Sequence, residues 1–295
     1  MNPREAGFLL LTGHLGNPDR RPLTVAQLRI LSQRMKTMTE PCEDHELRQE
    51  DLLALGYDRE TSARIVGLLS DEALLKHYVK RGVQQGCVPV TRVTEQYPLI
   101  LRQRLGLDSP GCLWAKGNLS LLDQPGIALV GSRDLNPENR KFAAEVGRQA
   151  ARAGLVLISG NARGADRAAQ EACLKAGGSV ISVVADELTG HDRDGNMLYL
   201  SEEAYDAPFT AIRALSRNRV IHALGRMVFV AQADLEKGGT WDGTVKNLRF
   251  GWSSVACFRD GSVASRELEQ MGAYLVDTAD LQDFGSIPMA DTGFL

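Results

Sequence analysis

The sequence lacks the long apolar segments and clustered cysteines that mark membrane and metal-binding proteins. No stretch of the 295 residues approaches the roughly 20 consecutive apolar residues that a membrane-spanning helix needs. The five cysteines are scattered without a Cys-x-x-Cys pair, at Cys42, Cys87, Cys112, Cys173 and Cys257. This distribution argues against zinc ligation and suits a reducing cytoplasm. The polar N-terminus has no signal-peptide core, so we predict a cytoplasmic protein with no membrane partner and no metal.

Sequence signatures of several enzyme classes are also missing. The chain has no Walker A loop, no G-x-S-x-G nucleophile elbow and no G-x-G-x-x-G dinucleotide fingerprint. The histidines show no metal-ligand spacing, at His14, His45, His77, His191 and His222. Of these, His222 lies in an apolar helical pattern that predicts a structural role. These absences favour binding over catalysis, and we predict no enzymatic activity and no cofactor.

Composition and charge leave nucleic acid open as a partner. The chain is 43% hydrophobic and 24% charged, which is ordinary for a globular protein. A net charge of -3 argues against a polybasic binder of the histone kind. A local stripe of arginines can still act within an acidic chain, so the distribution of charge decides more than its sum.

The first part of the chain, residues 1–85, carries helical patterns and no strand pattern. Thr24-Val25-Ala26-Gln27 fits a capping box, and Asp58 and Ser70 are placed to begin two later helices. We predict a small all-α N-terminal domain. Its basic residues alternate with acidic ones, so a solvated surface is favoured over a face that binds nucleic acid. These basic residues are Arg29, Arg34, Lys36, Arg64, Lys76, Lys80 and Arg81.

In residues 86–295, short apolar runs alternate with helical patterns. The runs are Ile127–Val130, Leu155–Ile158, Val180–Val184, Met227–Val230, Val255–Phe258 and Tyr274–Val276. The helical patterns cover Pro137–Ala153, Ala165–Ala176, Ala211–Leu224, Trp241–Phe250 and Val263–Met271, and polar Asp186–Asn196 is predicted to be an exposed loop. This alternation predicts an α/β domain with an extended Rossmann-like, doubly wound, mostly parallel sheet.

Two glycine-rich turns follow the first two of these strands. The first is Gly131-Ser132-Arg133, and the second is Ser159-Gly160-Asn161-Ala162-Arg163-Gly164-Ala165-Asp166. A strand that ends in glycine before a helix leaves backbone N–H groups pointing at an anion, and a nearby arginine adds a planar fork for phosphate. Asp166 is interpreted as a partner of Arg163 or as a first-turn helix acid. No acidic residue follows the second strand to hold a ribose, so NAD binding is disfavoured.

Two later segments carry the same residue types. Arg217-Asn218-Arg219 supplies two guanidinium groups around an amide, and Lys237-Gly238-Gly239-Thr240 precedes a helical pattern. Trp241, next in the chain, either stacks on a base or packs in the core. Each of these segments can also be an ordinary turn or helix start. Together they predict a phosphate-binding edge of the sheet.

In order and spacing, these residues resemble the DNA-processing protein A family, also called DprA or Smf. The resemblance covers about residues 86–282, and the N-terminal part is similar to the family's small helical domain. Besides the turns it includes Tyr97-Pro98-Leu99, Leu113-Trp114-Ala115-Lys116-Gly117-Asn118, Leu121-Leu122, Val220-Ile221 and Gly272-Ala273.

The resemblance implies a domain that binds and protects single-stranded DNA, forms a homodimer and assists RecA loading in recombination or natural transformation. A role in DNA-linked immunity shares the binding chemistry and stays open. The candidate phosphate-binding residues are Gly131, Ser132, Arg133, Ser159, Gly160, Asn161, Arg163, Gly164, Arg217, Asn218, Arg219, Lys237, Gly238, Gly239 and Thr240.

The chain departs from the family pattern at Gln170, where histidine is usual, and at Gln232, where glutamate is usual. The wider superfamily includes phosphoribohydrolases with the signature P-G-G-x-G-T-x-x-E, and Asn247 stands where their glutamate would act. An amide cannot replace that acid or base. The alternative function is a nucleotide-binding sensor, or a hydrolase of nucleoside monophosphates, that uses the same phosphate pocket.

Overall fold

A mixed sheet runs through the part of the chain that the computed structural model describes, residues 1–38, 47–192, 195–202 and 204–288. Its order is β1-β2-β6-β5-β4-β3-β7-β8-β9. The strands are β1 (Cys87–Thr91), β2 (Cys112–Gly117), β3 (Gly126–Val130), β4 (Val156–Ser159), β5 (Val180–Val184), β6 (Met197–Glu202), β7 (Met227–Val230), β8 (Ser254–Phe258) and β9 (Tyr274–Val276). The β1–β2 and β2–β6 pairs are antiparallel and the others parallel. The predicted α/β fold with a mostly parallel sheet is confirmed.

Helices precede the sheet and connect its strands. Those before the sheet are α1 (Pro3–Thr12), α2 (Val25–Met35), α3 (Gln49–Ala54), α4 (Arg59–Ser70) and α5 (Glu72–Gln84). Those between strands are α6 (Leu99–Leu105), α7 (Pro137–Arg152), α8 (Ala165–Lys175), α9 (Ala211–Ser216), α10 (Asn218–Leu224), α11 (Gly238–Phe250) and α12 (Val263–Gln270). Within the described residues, no helix is long and apolar enough to cross a membrane.

Alternating side chains of the central strands bury both faces of the sheet. Ile127 and Leu129 of β3 pack in the core that α7 and α8 cover, where Phe142 is fully buried. Ala128 and Val130 of β3 belong to the opposite core, beneath α6, α10, α11 and α12. Because both faces are covered, the central strands β3, β4, β5 and β7 are mostly apolar, which made them recognisable in the sequence.

The structure corrects several details of the predicted elements. Strands β1, β2 and β6 were not predicted, and they form the antiparallel extension of the sheet. Pro89 lies within edge strand β1, where a missing N–H is tolerated but weakens the strand signal. The predicted helix Ala211–Leu224 is two helices, and Ser70 ends α4 instead of capping α5. The helix predicted from Trp241 begins earlier, at Gly238.

The predicted exposed loop Asp186–Asn196 is partly packed. Leu188 is fully buried, and Lys116 Nζ donates a hydrogen bond to the Thr189 carbonyl at 2.9 Å. Residues 193 and 194 lie outside the described residues, as does Cys42. The other four cysteines are buried and form no disulfide. In the described parts of the chain, no cluster of His, Cys, Asp or Glu has the arrangement of a metal site.

The N-terminal helices share a hydrophobic core with the antiparallel end of the sheet. Tyr78 of α5 packs against Trp114 of β2 at a ring-centroid distance of 5.4 Å and against Tyr205 at 4.7 Å. Leu9 of α1 and Leu75 of α5 belong to the same cluster. The division into residues 1–85 and 86–295 stays a prediction, and this core joins the two parts.

A buried arginine ties the helical part together. Arg20 Nη1 donates to the Leu10 and Gly13 carbonyls, both at 2.7 Å, and Nη2 donates to the Leu68 carbonyl at 2.8 Å. Its Nε donates to Asp71 Oδ2 at 3.1 Å. One guanidinium therefore satisfies backbone acceptors from two helix ends and a loop.

We expect Arg20→Met to lower the free energy of unfolding by about 2–4 kcal/mol, because buried carbonyls lose their donors. Urea denaturation measures the change. Lys76→Met is the control, because its exposed ion pair with Glu72 should contribute less than about 1 kcal/mol. Equal effects of the two substitutions would contradict the assignment.

Candidate functional site

A cleft of about 470 Å³ opens at the carboxyl edge of the parallel strands. Strands β3, β4 and β7 are adjacent and parallel, so the turns that follow them meet there. This is the edge at which doubly wound sheets bind ligands. Nine of the predicted site residues line the cleft: Gly131, Ser132, Arg133, Arg217, Asn218, Lys237, Gly238, Gly239 and Thr240.

The second glycine turn lies behind the first and supports it. Ser159 is fully buried, and its Oγ donates to the Leu129 carbonyl at 2.9 Å. Gly164 has a φ of 92°, and a Cβ there would lie 2.4 Å from the Ser132 carbonyl oxygen. Asn161 adopts a left-handed φ of 58°. These residues fix the shape of the cleft wall, and Arg163 projects from the same turn as an exposed side chain.

A buried arginine lies directly on Gly160. Arg217 Nη2 donates to the Gly160 carbonyl at 3.2 Å, and Nη1 donates to Asn218 Oδ1 at 2.8 Å. A Cβ at residue 160 would lie 1.9 Å from Nη1, so glycine is required for this contact. The carboxylate of Asp166 lies 3.7 Å from Nη2. Asp166 therefore pairs with Arg217 and not with Arg163, and it lies in the first turn of α8, as the second interpretation of this residue predicted.

Burial acts on both members of this pair. Burial raises the pKa of the Asp166 carboxyl. The positive charge of Arg217 and the N–H of Ala162, which donates to Oδ2 at 3.1 Å, act in the opposite direction and lower this pKa. Burial also lowers the pKa of the Arg217 guanidinium, which the charge of Asp166 opposes. The Arg217 Nε has no hydrogen-bond partner among the described residues. The Arg217 guanidinium is therefore held in place at the cleft, with its Nε buried and unpartnered among the described residues.

The N-terminus of α11 forms the opposite side of the cleft. The helix begins at Gly238, which has a φ of 75°, and no side chain caps it. Asn218 Nδ2 donates to the Gly239 carbonyl at 2.9 Å, which fixes this turn to α10. Open N–H groups and the positive end of the helix dipole favour an anion here. Lys237 is exposed beside them.

Arg219 lies outside the cleft lining, although the sequence placed it beside the pocket. Its guanidinium pairs with Glu202 and Ser216, and its Nε donates to the Asp108 carbonyl at 3.0 Å. These contacts attach α10 to the segment after α6. A glutamate partner was not visible in the sequence because Glu202 lies on the unpredicted strand β6.

An exposed aromatic ring at the cleft was missed by the sequence analysis. Phe209 is 55% exposed and lines the cleft together with Leu215. Trp241 is buried in the core, so the core alternative holds for that residue. The sequence did contain a pattern that could have indicated this surface. Apolar residues recur every three positions along α9 and the segment just before it, at Phe209, Ile212 and Leu215. All three are exposed.

Three amide side chains stand where the resembled family or the phosphoribohydrolase signature has another residue, and each has a hydrogen-bond partner in the structure. Asn247 is fully buried, and it binds Ser253 through Nδ2 at 3.0 Å and Oδ1 at 2.9 Å. It is not among the residues that line the cleft. Gln232 accepts from the Asn136 N–H at 3.0 Å and so holds the turn after β3. Gln170 donates to Ser182 Oγ at 3.3 Å.

Comparison with known proteins gives a consistent set of relatives. A family model described as DNA recombination-mediator protein A matches residues 89–280. The chain is 35% identical over 182 residues to DNA processing protein DprA of Streptococcus pneumoniae, covering 57% of this chain and 64% of that protein. DprA of Bacillus subtilis is 30% identical over 169 residues, covering 53% and 56%. The chain therefore spans less than two thirds of the length of these curated relatives.

Two solved structures have the same fold. The S. pneumoniae DprA structure matches with a TM-score of 0.65 and 28% identity over 86% of this chain and 95% of that chain. A structure of DNA processing protein A from Helicobacter pylori, described for its single-stranded DNA binding mode, matches with a TM-score of 0.55 and 25% identity. That match covers 67% of this chain and 93% of the other.

We expect Gly160→Ala to lower the free energy of unfolding by about 1–3 kcal/mol, because the methyl group displaces the Arg217 guanidinium. Gly67→Ala is the control, since a Cβ there meets nothing within 4 Å in the middle of α4. That substitution should stabilise by about 0.5–1 kcal/mol. Chemical denaturation of both variants measures the difference, and a neutral Gly160→Ala would refute the contact.

The core beneath the cleft predicts a loss of stability in acid. His222 is fully buried, and burial, followed by the charge of Arg217, lowers its pKa to about 3 from an ordinary 6.5. The unfolded chain binds this proton first, so stability is full above pH 6.5 and falls as the pH decreases toward 3. Between pH 6.5 and 5 the loss from this group should be about 1.6 kcal/mol.

Denaturation of the unmodified chain and of His222→Leu at the two pH values isolates this contribution. The variant should lose less stability than the unmodified chain over the same interval. Identical pH dependence of the two proteins would show that His222 can be protonated without cost in the folded state.

Proposed function

Because the chain belongs to the DNA recombination-mediator protein A family, we propose that it binds single-stranded DNA in the cleft at the carboxyl edge of the sheet. One observation carries the proposal. The glycine turn after β3, the uncapped start of α11 and the held guanidinium of Arg217 converge on a single cleft with an exposed ring. The single-stranded DNA binding described for the related H. pylori protein supports the same class of ligand.

The cleft offers different chemistry to the two parts of a nucleotide. Phosphate would bind the N–H groups at Gly238 and Gly239, with Arg133 and Lys237 supplying exposed charge. A base would lie against Phe209, because stacking on an aromatic ring is sequence-tolerant and contributes about 1–3 kcal/mol. A volume of about 470 Å³ suits a short piece of the strand, so the remaining nucleotides would continue along the sheet edge.

We propose binding without catalytic turnover. Asn247, at the position where related hydrolases carry a glutamate, has both amide atoms engaged by Ser253. An amide in that role cannot transfer a proton. The buried Asp166 is paired with Arg217 and so acts as a structural counter-charge.

At the level of the cell, the proposal is a homodimeric cytoplasmic protein that protects single strands and assists RecA loading. Recombination or natural transformation would be the setting. This part is supported by family membership and by the names of the curated relatives, which are DNA processing proteins.

We expect Arg133→Ala combined with Lys237→Ala to weaken oligo-dT binding at least tenfold at low salt. Loss of two phosphate contacts should also reduce the slope of log affinity against log salt by about 1.4. Fluorescence anisotropy over a salt series measures both quantities. The matched control is Arg152→Ala with Lys175→Ala, which removes the same charges from exposed positions at the far ends of α7 and α8.

Equal effects of the two double variants would reject the cleft as the binding site. Incubation with nucleoside monophosphates, followed by chromatography, tests turnover in the same preparation. If the unmodified chain releases free base and Arg133→Ala abolishes that release, the result would favour the hydrolase alternative.

A further inference from the structure

A second and larger cleft, of about 1270 Å³, lies where the N-terminal helices meet the β1–β2 end of the sheet. One wall consists of α1, the loop after it and α2. The other wall consists of the segment from β1 through α6 to the start of β2. We call it the helical cleft, and it shares no lining residue with the cleft described above.

The helical cleft concentrates positive charge in a chain whose net charge is -3. Among the described residues, its lining contains six arginines and a single acidic residue, Glu95. Arg20 is neutralised by Asp71. In contrast, Arg21, Arg29 and Arg102 are exposed and make no ion pair with any described residue. The remaining arginines of the lining are Arg4 and Arg92.

Two of these guanidinium groups repel each other. Arg92 is half-buried, and burial, reinforced by the nearby charge of Arg102, lowers its pKa. Its Nη2 donates to the Gly106 carbonyl at 3.1 Å, a neutral partner. Glu95 is the single acidic residue in the described lining, so these like charges are most stable when an anion lies between or beside them.

Topology brings the two clefts to one edge of the sheet. Thr91, the end of β1, is paired with Cys112, the start of β2, and Leu113 is opposite Glu202 at the end of β6. Because β6 is parallel to β5, these ends all lie at the carboxyl edge. Five strand steps separate β3 from β1, which is about 24 Å at an ordinary strand spacing of about 4.8 Å.

Arg219 connects the two clefts through protein. It follows Asn218 of the first cleft along α10, and its Nε donates to the carbonyl of Asp108. Asp108 is adjacent to Leu107, an exposed residue that lines the helical cleft. Arg219 therefore links α10 at the first cleft to the segment that lines the helical cleft.

We propose that the helical cleft is a second contact for the same single-stranded DNA, taking phosphates on its arginines and bases against exposed Leu99 and Leu107. This inference rests on the proposed function. Guanidinium forks bind carboxylates as well as phosphates, so an acidic protein segment is the competing occupant. The shared sheet edge and the Arg219 link favour a polyanion that continues from the first cleft.

The test compares oligonucleotides of increasing length on the full chain. Arg29→Gln with Arg102→Gln removes one arginine from each wall, and Arg152→Gln with Arg266→Gln is a control of equal charge change at exposed positions. Anisotropy with dT3, which is too short to span the clefts, and with dT24 is measured over a salt series. We expect the first pair to leave dT3 unchanged and to weaken dT24 about tenfold, with a salt slope smaller by about 1.4.

The outcomes separate this inference from the proposed function. Equal dT24 affinity for the two double variants, at unchanged melting temperature, would overturn the second contact while leaving the first intact. Absence of dT24 binding by the unmodified chain would overturn both. If Arg29→Gln with Arg102→Gln weakens binding of a fluorescent poly-glutamate peptide but not of dT24, the cleft belongs to an acidic protein segment instead.

Discussion

The contact of the Arg217 guanidinium with Gly160 is the constraint on which the cleft depends. Without a side chain at residue 160, the buried arginine reaches the glycine carbonyl and comes close to Asp166. The same guanidinium holds Asn218, and Asn218 in turn holds the Gly239 carbonyl at the start of α11. One small residue at the end of β4 thereby aligns two helices and places the helix N-terminus at the cleft.

This arrangement separates charge that shapes the cleft from charge that is available to a ligand. Asp166 offsets much of the field of Arg217, because the two lie in a buried region of low dielectric. The available positive charge then comes from exposed Arg133 and Lys237 and from the dipole of α11. Salt screens exposed cations strongly and a buried pair much less, so ligand affinity and folding stability respond differently to ionic strength.

Sequence patterns predicted the centre of the fold because its strands β3, β4, β5, β7 and β8 are short, mostly apolar runs. The turn at Gly131 and the turn at Gly238 both line the cleft as expected. Prediction failed where partners came from unpredicted strands. Glu202 on β6 engages Arg219, and no local pattern encodes a pairing over that sequence distance. Whether Trp241 faces a ligand or the core likewise depended on how α11 packs, and the structure buries that ring.

The antiparallel extension of the sheet explains why an acidic chain can present one basic edge. Strand β2 reverses direction beside β6, so the end of β1 returns to the edge where the parallel strands end. Segments that are distant in sequence, from Arg29 to Lys237, therefore reach the same side of the molecule. The described linings of the two clefts contain more arginine and lysine than acidic residues, with Asp166 and Asp234 in the first and Glu95 in the second. The local balance of charge at this edge is therefore positive in a chain of net charge -3, and a polyanion responds to that local potential. The net charge therefore says little about the ligand. The direction of the strands determines which basic segments meet at this edge.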